Sequence, residues 1–288
     1  MARFGNPPPW KRYKFFSILL GLCLIWLWLG GGEVRAGILS DRLSTFPQWN
    51  TKPPIAAAQG DLIYPDWIAG TWQVSSVLVE MVAPLAPEIV TPGFASNRRY
   101  LNQPVQFKVR FQADRAQPKT RNLIPSSPAL SPAMGGEAKL LNQPIIADRA
   151  FNGLNIGKAY LGEKGILSVK VDPNNPNRQI TFLSGDKQLV SIVTNRGSET
   201  PHPNQFIATE VAQQVFQGNS QIYLNEVETT TAYHFLSSGK DPDSLPKKIE
   251  AEQVTAIYLS PQDPNYFATV GRPVALYRYR LELLPTEQ

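Results

Sequence analysis

The 288-residue chain is poor in thiol, poor in imidazole and, beyond its first segment, almost balanced in charge. Cys23 is the only cysteine. It lies inside an N-terminal apolar run, so removing that run leaves neither a disulfide nor a thiolate metal site. The two histidines are isolated from each other in sequence. His202 stands between Pro201 and Pro203, and His234 between Tyr233 and Phe235, whereas zinc sites take three or four ligands. No metal is expected. The formal charge of +5 is concentrated at the start, where Arg3, Lys11, Arg12, Lys14 and Arg35 face only Glu33. Past residue 36 there remain 23 basic and 22 acidic residues, too even a mixture for a nucleic-acid-binding field. No Gly-x-Ser-x-Gly elbow, phosphate-binding loop or dinucleotide fingerprint occurs, so no cofactor is expected.

What is present begins with an export layout. Lys11, Arg12 and Lys14 precede the apolar run Phe15–Leu29, and Gly30-Gly31-Gly32 then breaks it. Val34-Arg35-Ala36 offers small residues where a signal peptidase inspects the chain, which places cleavage after Ala36. An uncleaved anchor is the alternative, although the run is shorter than the ~20 residues of a comfortable span. Leu20-Gly21-Leu22 before Cys23 is a poor lipobox. No later segment is apolar enough to span a bilayer, so membrane contact is expected only through this segment.

Residues 37–63 read as a flexible arm whose Trp49 packs onto the body. From residue 64 the pattern is one of strands. In Val105–Gln112, Val105, Phe107, Val109 and Phe111 alternate with Gln106, Lys108, Arg110 and Gln112, the period of a half-buried strand. The same alternation marks Gly70–Met81 and the final Tyr277, Tyr279, Leu281 and Leu283. Shorter runs at 166–171, 179–183 and 188–194 are separated by Asn-, Asp- and Gly-rich turns. Strands also fit 221–235 and 251–259, while 206–217 fits strand or helix. Residues 114–144, rich in Pro and Ser, form a long excursion, and 148–162 is a short helix weakened by Gly153 and Gly157. The sum is an all-β domain over residues 64–288, a single antiparallel barrel of about eight to ten strands.

Several groups invite chemistry. Glu226 with Glu228, and Glu250 with Glu252, lie two apart on strand faces, where solvated surface is the plainer reading. Asp148 and Arg149 read as an ion pair or a loop clasp. Tyr233, Phe235, Tyr277 and Tyr279, with Arg149 as a polar anchor, are the candidate ligand contacts at a barrel mouth. The three tryptophans Trp49, Trp67 and Trp72 suit an end plug better than an aromatic cage.

Gly70-Thr71-Trp72 resembles the Gly-x-Trp opening of lipocalin-like barrels. That resemblance implies that Gly70 permits the strand entry and Trp72 plugs one end. It further implies that Arg278 or Arg280, from the last strand, lies over the Trp72 indole. A longer set of motifs comprises Tyr64-Pro65-Asp66-Trp67, Leu101-Asn102, Pro104-Val105, Asp148-Arg149 with Phe151-Asn152, and Tyr258-Leu259-Ser260-Pro261 with Tyr277 and Tyr279. Together they resemble an uncharacterised family of exported proteins in cyanobacteria and plant plastids. The resemblance implies residence in the thylakoid lumen or periplasm and supplies no catalytic residues. Two functions stay open: a non-enzymatic binder of an apolar pigment or lipid, or helper of a photosynthetic membrane complex; and a barrel-mouth enzyme of isomerase or chromophore-lyase type. Convergence of Glu226, Arg149 and His234 in one cavity would favour the enzyme.

Overall fold

Residues 37–114, 143–218, 221–236 and 248–286 are described by a computed structural model. The signal segment and residues 115–142 of the excursion lie outside them. A short strand β1 (Ala56–Ala57) precedes ten longer elements: β2 (Gly70–Val82), β3 (Pro104–Ala113), β4 (Ile145–Ala147), β5 (Ile166–Asp172), β6 (Asn175–Leu183), β7 (Lys187–Glu199), β8 (Gln205–Gly218), β9 (Gln221–Leu236), β10 (Lys248–Leu259) and β11 (Ala275–Pro285). The two main helices are α1 (Ile38–Ser44) and α2 (Arg149–Leu161). The sheet is antiparallel in the order β4-β3-β2-β11-β10-β9-β8-β7-β6-β5 and curls into a half-barrel, with β1 pairing β7.

The period-two patterns set the faces. Trp72, Val74, Ser76 and Leu78 of β2 are buried on the concave side. The register pairs them with β11, Val74 opposite Leu283 and Ser76 opposite Leu281, so the first and last long strands are neighbours. Gly70 opens β2 at φ +128°, a conformation that favours glycine. The segment 206–217 is strand: Phe206 to Thr209 are all buried, so both faces are covered and the alternation that marks a half-wet strand is lost.

Among the described residues no ladder joins the two edge strands β4 and β5. At three residues β4 is too short to carry a ladder onward: it pairs with β3 and, through Ile145, makes a single bridge to Tyr64. Helix α2 fills the gap by packing against β3, β5 and β6. It begins at Asp148, whose Oδ1 accepts the Phe151 N–H at 3.0 Å as an N-cap. The other carboxylate oxygen holds Arg110 Nη2 at 2.7 Å. Asn152 then meets the β3 backbone, accepting the Arg110 N–H at 2.7 Å and donating to its carbonyl at 3.2 Å. Gly153 and Gly157 lower helix propensity but permit this docking. A β-carbon at Gly157 would lie 2.8 Å from Ile166 Cγ1, and one at Gly153 2.9 Å from Gln179 Nε2.

The first part of the arm, through Trp49, folds onto the convex face, whereas Asp61 and Leu62 at its end reach the concave side. Trp49 is buried on the convex face with Val254, Ala256, Tyr258 and Leu276. Arg42 of α1 reaches Glu228, Nε to Oε1 at 2.5 Å and Nη2 to Oε2 at 2.7 Å. The Tyr258 hydroxyl donates to the same carboxylate at 2.7 Å, and the guanidinium lies 3.9 Å over the Trp49 ring. Glu228, which reads from sequence as a solvated residue, is fully buried. A covering segment from another part of the chain makes the difference. Its neighbour Glu226 is paired with Lys52.

Breaking the buried pair leaves an uncompensated charge, whereas replacing both members with apolar groups does not. Glu228→Ala is expected to lose about 3–5 kcal/mol in urea unfolding. The double variant Arg42→Met, Glu228→Met is expected to regain most of that loss.

Candidate functional site: the hollow beneath α2

Between α2 and the concave face lies a hollow of about 270 Å³. Its apolar wall comes from β2, β3 and β11 through Val74, Phe107, Val109, Leu281 and Leu283, and α2 adds Ile156. Tyr160 of α2 and Gln253 and Thr255 of β10 add polar groups to its lining. Gln253 Oε1 accepts a hydrogen bond from Thr231 at 3.2 Å. One end is sealed by aromatic rings: Tyr64 lies 4.8 Å from Phe111 and 5.4 Å from Phe206, and Trp67 stacks on Phe235 at 5.5 Å. Trp72 is buried in this plug and donates its indole N–H to the Ile68 carbonyl at 2.7 Å.

A second hollow of about 200 Å³ adjoins it on the same face, lined by Arg149, Asn177, Gln179, Ser191, Glu210 and Thr229 among others. The two are neighbours because Thr229 is the register partner of Thr255. Glu210 anchors the polar side by accepting from Arg149 Nη2 at 2.6 Å and Arg196 Nη2 at 2.7 Å. Arg196 also reaches Asn177 at 2.8 Å, and Arg149 pairs with Asp61 at 3.3 Å. Burial raises the Asp61 pKa, with Arg149 opposing the shift. Burial also works against the charge on Arg149, but Glu210, Tyr64 and Asp61 together outweigh it and hold that pKa up. The concave surface therefore runs from apolar under β2 and β3 to hydrogen-bonding under β6 to β9.

The sequence-derived candidates divide. Tyr233 and Tyr279 line the main hollow, and Arg149 lines its polar neighbour. Phe235 belongs to the plug, stacked on Trp67. Tyr277 is buried beyond the hollow, 5.8 Å from Phe94, and its hydroxyl accepts from Asn97 at 3.2 Å. The Arg–Trp closure is not formed in the way the resemblance implies. Arg278 pairs with Glu252 at 2.8 Å and lies 5.4 Å over Phe46, not over Trp72. Arg280 is paired in register with Val77, on the face opposite Trp72, while Trp72 itself is opposite Pro285. Strand alternation decides this: Trp72 shares the concave side with Tyr279, Leu281 and Leu283, and both arginines fall on the convex side.

Arg280 and His234 line an open convex groove of about 610 Å³ together with Glu250, Glu252 and Glu282. Although larger, this groove is a solvent-facing strip of ion pairs, with Lys248 bridging Glu250 at 3.0 Å and Glu282 at 2.9 Å. Glu226, Arg149 and His234 do not converge. Glu226 is held by Lys52, His234 Nε2 contacts Asn204 at 2.9 Å, and Arg149 is on the other face. Among the described residues no group of three His, Cys, Asp or Glu is placed to hold a metal.

Sequence reasoning missed Glu210, Arg196, Gln179 and Gln253. The alternation through Ile207, Thr209 and Val211 could have placed Glu210 on the opposite face, but not in a hollow. The chain belongs to the family of DUF6816, a domain of unknown function, whose match covers residues 56–287. No curated protein and no solved structure matches it. The family's span holds every residue of both hollows and begins after α1.

The buried tyrosines give a measurable consequence. Burial raises the Tyr233 pKa to about 12 and lifts that of Tyr64 well above its ordinary value. An unfolded tyrosine ionises near ~10. The stabilising difference is thus fully present below ~pH 10 and is lost as pH rises through the folded value. Urea midpoints are expected to fall between pH 10 and 12, and Tyr233→Phe to flatten that fall. Phenolate absorbance of the folded protein should lack these two residues at pH 10.5.

Proposed function

We propose that the protein is an exported, non-enzymatic binder of a small molecule with an apolar body and a hydrogen-bonding end. The observation that carries the reading is the pair of adjoining hollows under α2, one with an aliphatic wall and one lined by Arg149, Asn177, Gln179 and Thr229. Ligand sites are mostly apolar with a few placed polar groups, and this surface has that division. A volume of about 270 Å³ lies just below the ~300–1,000 Å³ usual for such sites. A single acyl chain or ring system suits it better than a pigment of tetrapyrrole or carotenoid size. Export is supported by the basic-then-apolar layout before Ala36 and by the absence of any cysteine after it. The thylakoid lumen or periplasm is the compartment those features fit, as does the likeness to exported cyanobacterial and plastid proteins.

A second reading, assistance to a membrane complex, is favoured by one observation. Phe267, Ile222 and Leu167 are 85%, 65% and 64% exposed, and their strand and loop positions all fall at the end of the sheet away from the aromatic plug.

Extraction of the processed protein from its native membranes, with mass spectrometry of the organic extract, tests both. A stoichiometric small amphiphile is expected, and Ile156→Trp, which fills the hollow, should cut its occupancy about tenfold, equivalent to about 1.4 kcal/mol. A ligand-free protein that still co-migrates with a membrane complex would leave only the second reading standing.

A further inference from the structure

Helix α1 starts without a capping side chain of its own. Gly37 stands at its N-cap, and the free N–H groups of the first turn are met by a residue distant in sequence. Leu39 N–H donates to Glu199 Oε1 at 2.9 Å and Ser40 N–H to Oε2 at 3.4 Å. Glu199, the last residue of β7, thus replaces the serine or aspartate that usually caps a helix. Its carboxylate also fills the space where a side chain at position 37 would be: a β-carbon there would lie 2.0 Å from Oε2. Covalent geometry then keeps the Gly37 nitrogen within about 4.5 Å of that oxygen. Among the described residues, no lysine, arginine or histidine forms an ion pair with Glu199.

The same residue is where processing is expected to begin the chain. Hydrolysis of the Ala36–Gly37 peptide bond by a signal peptidase adds one water. It leaves a carboxylate on Ala36 and an amine on Gly37, which is largely protonated at neutral pH. We propose that this new α-ammonium group pairs with Glu199 and clamps the start of the processed chain to the end of β7. A cation at a helix N-terminus is unfavourable by itself, so the carboxylate is what makes this start acceptable. Before cleavage Gly37 offers only an amide N–H, so the ion pair belongs to the processed form alone. In the processed form the pairing would add a second hold on α1, beside the one that Arg42 already makes on Glu228.

The inference rests on the export reading, and the experiment separates the two. The full-length precursor is expressed in a host with a signal peptidase, and the intact mass of the product is measured. A product starting at Gly37 is expected; a product retaining Met1 would overturn the export reading and this one with it. Four precursors are then compared as processed proteins: wild type, one with an extra glycine inserted between Ala36 and Gly37, Glu199→Gln, and both changes together. The inserted glycine moves the ammonium one residue outward, and the melting temperature is expected to fall by about 2–4 °C. In the Glu199→Gln background the same insertion should have no effect. An insertion that is neutral in wild type, or equally damaging in both backgrounds, would overturn the pairing while leaving export intact.

Discussion

The architecture depends on how closely one helix can approach one sheet. β2 and β11 pair inside the sheet and leave β4 and β5 as its edges, and among the described residues β4 is too short to carry the ladder round to β5. The remaining gap would expose sheet edges, which invite association with other chains. α2 covers it, and it fits because Gly153 and Gly157 present no side chains to Gln179 and Ile166. Asp148 and Asn152 fix the helix to Arg110 of β3, so the covering element is anchored on one side and wedged on the other.

That arrangement also creates the hollow. Small closed barrels are often filled by their own side chains. A helix laid across a seam packs less evenly, and space remains where its Ile156 and Tyr160 face Leu281 and Gln253. The polarity of the surface follows from strand position. β2, β3 and β11 give aliphatic groups, and β6 to β9 give amides, hydroxyls and the Glu210 ion-pair cluster. The convex face is covered differently, by α1 and Trp49 pinned through Arg42 to a fully buried carboxylate. The convex face is thus pinned by charge, and the end at the entry to β2 is sealed by aromatic contact.

Much of the strand pattern was legible in the residues. Where one face is wet and one is dry, as at Val105–Gln112 or Tyr277–Leu283, the alternation states both the element and its orientation. The aromatic plug was legible in part: Trp67 and Trp72 lie together at the entry to β2, whereas Trp49, expected with them, is buried on the convex face. Legibility failed where burial came from a distant segment. Glu228 has the spacing of a surface residue and becomes buried only when Arg42, 186 residues earlier in the chain, arrives over it. The strand β8 looked ambiguous for the same reason, both its faces being covered. Glycine misled in the opposite direction: its cost to helix propensity is local, while its benefit at 153 and 157 appears only against the sheet.

By itself, then, the order of residues determined which segments are strands, which way most of them face, where the turns fall and that the first segment has the layout of an export signal. These follow from short-range physics: alternation, turn conformations and the run of apolar residues. Tertiary structure decided that a helix, and no ladder among the described residues, bridges the two edge strands, that Arg278 and Arg280 face away from Trp72, and that two hollows of unlike polarity adjoin. Those outcomes depend on register and on contacts between segments far apart in the chain, and a shift of one residue in pairing would have reversed them.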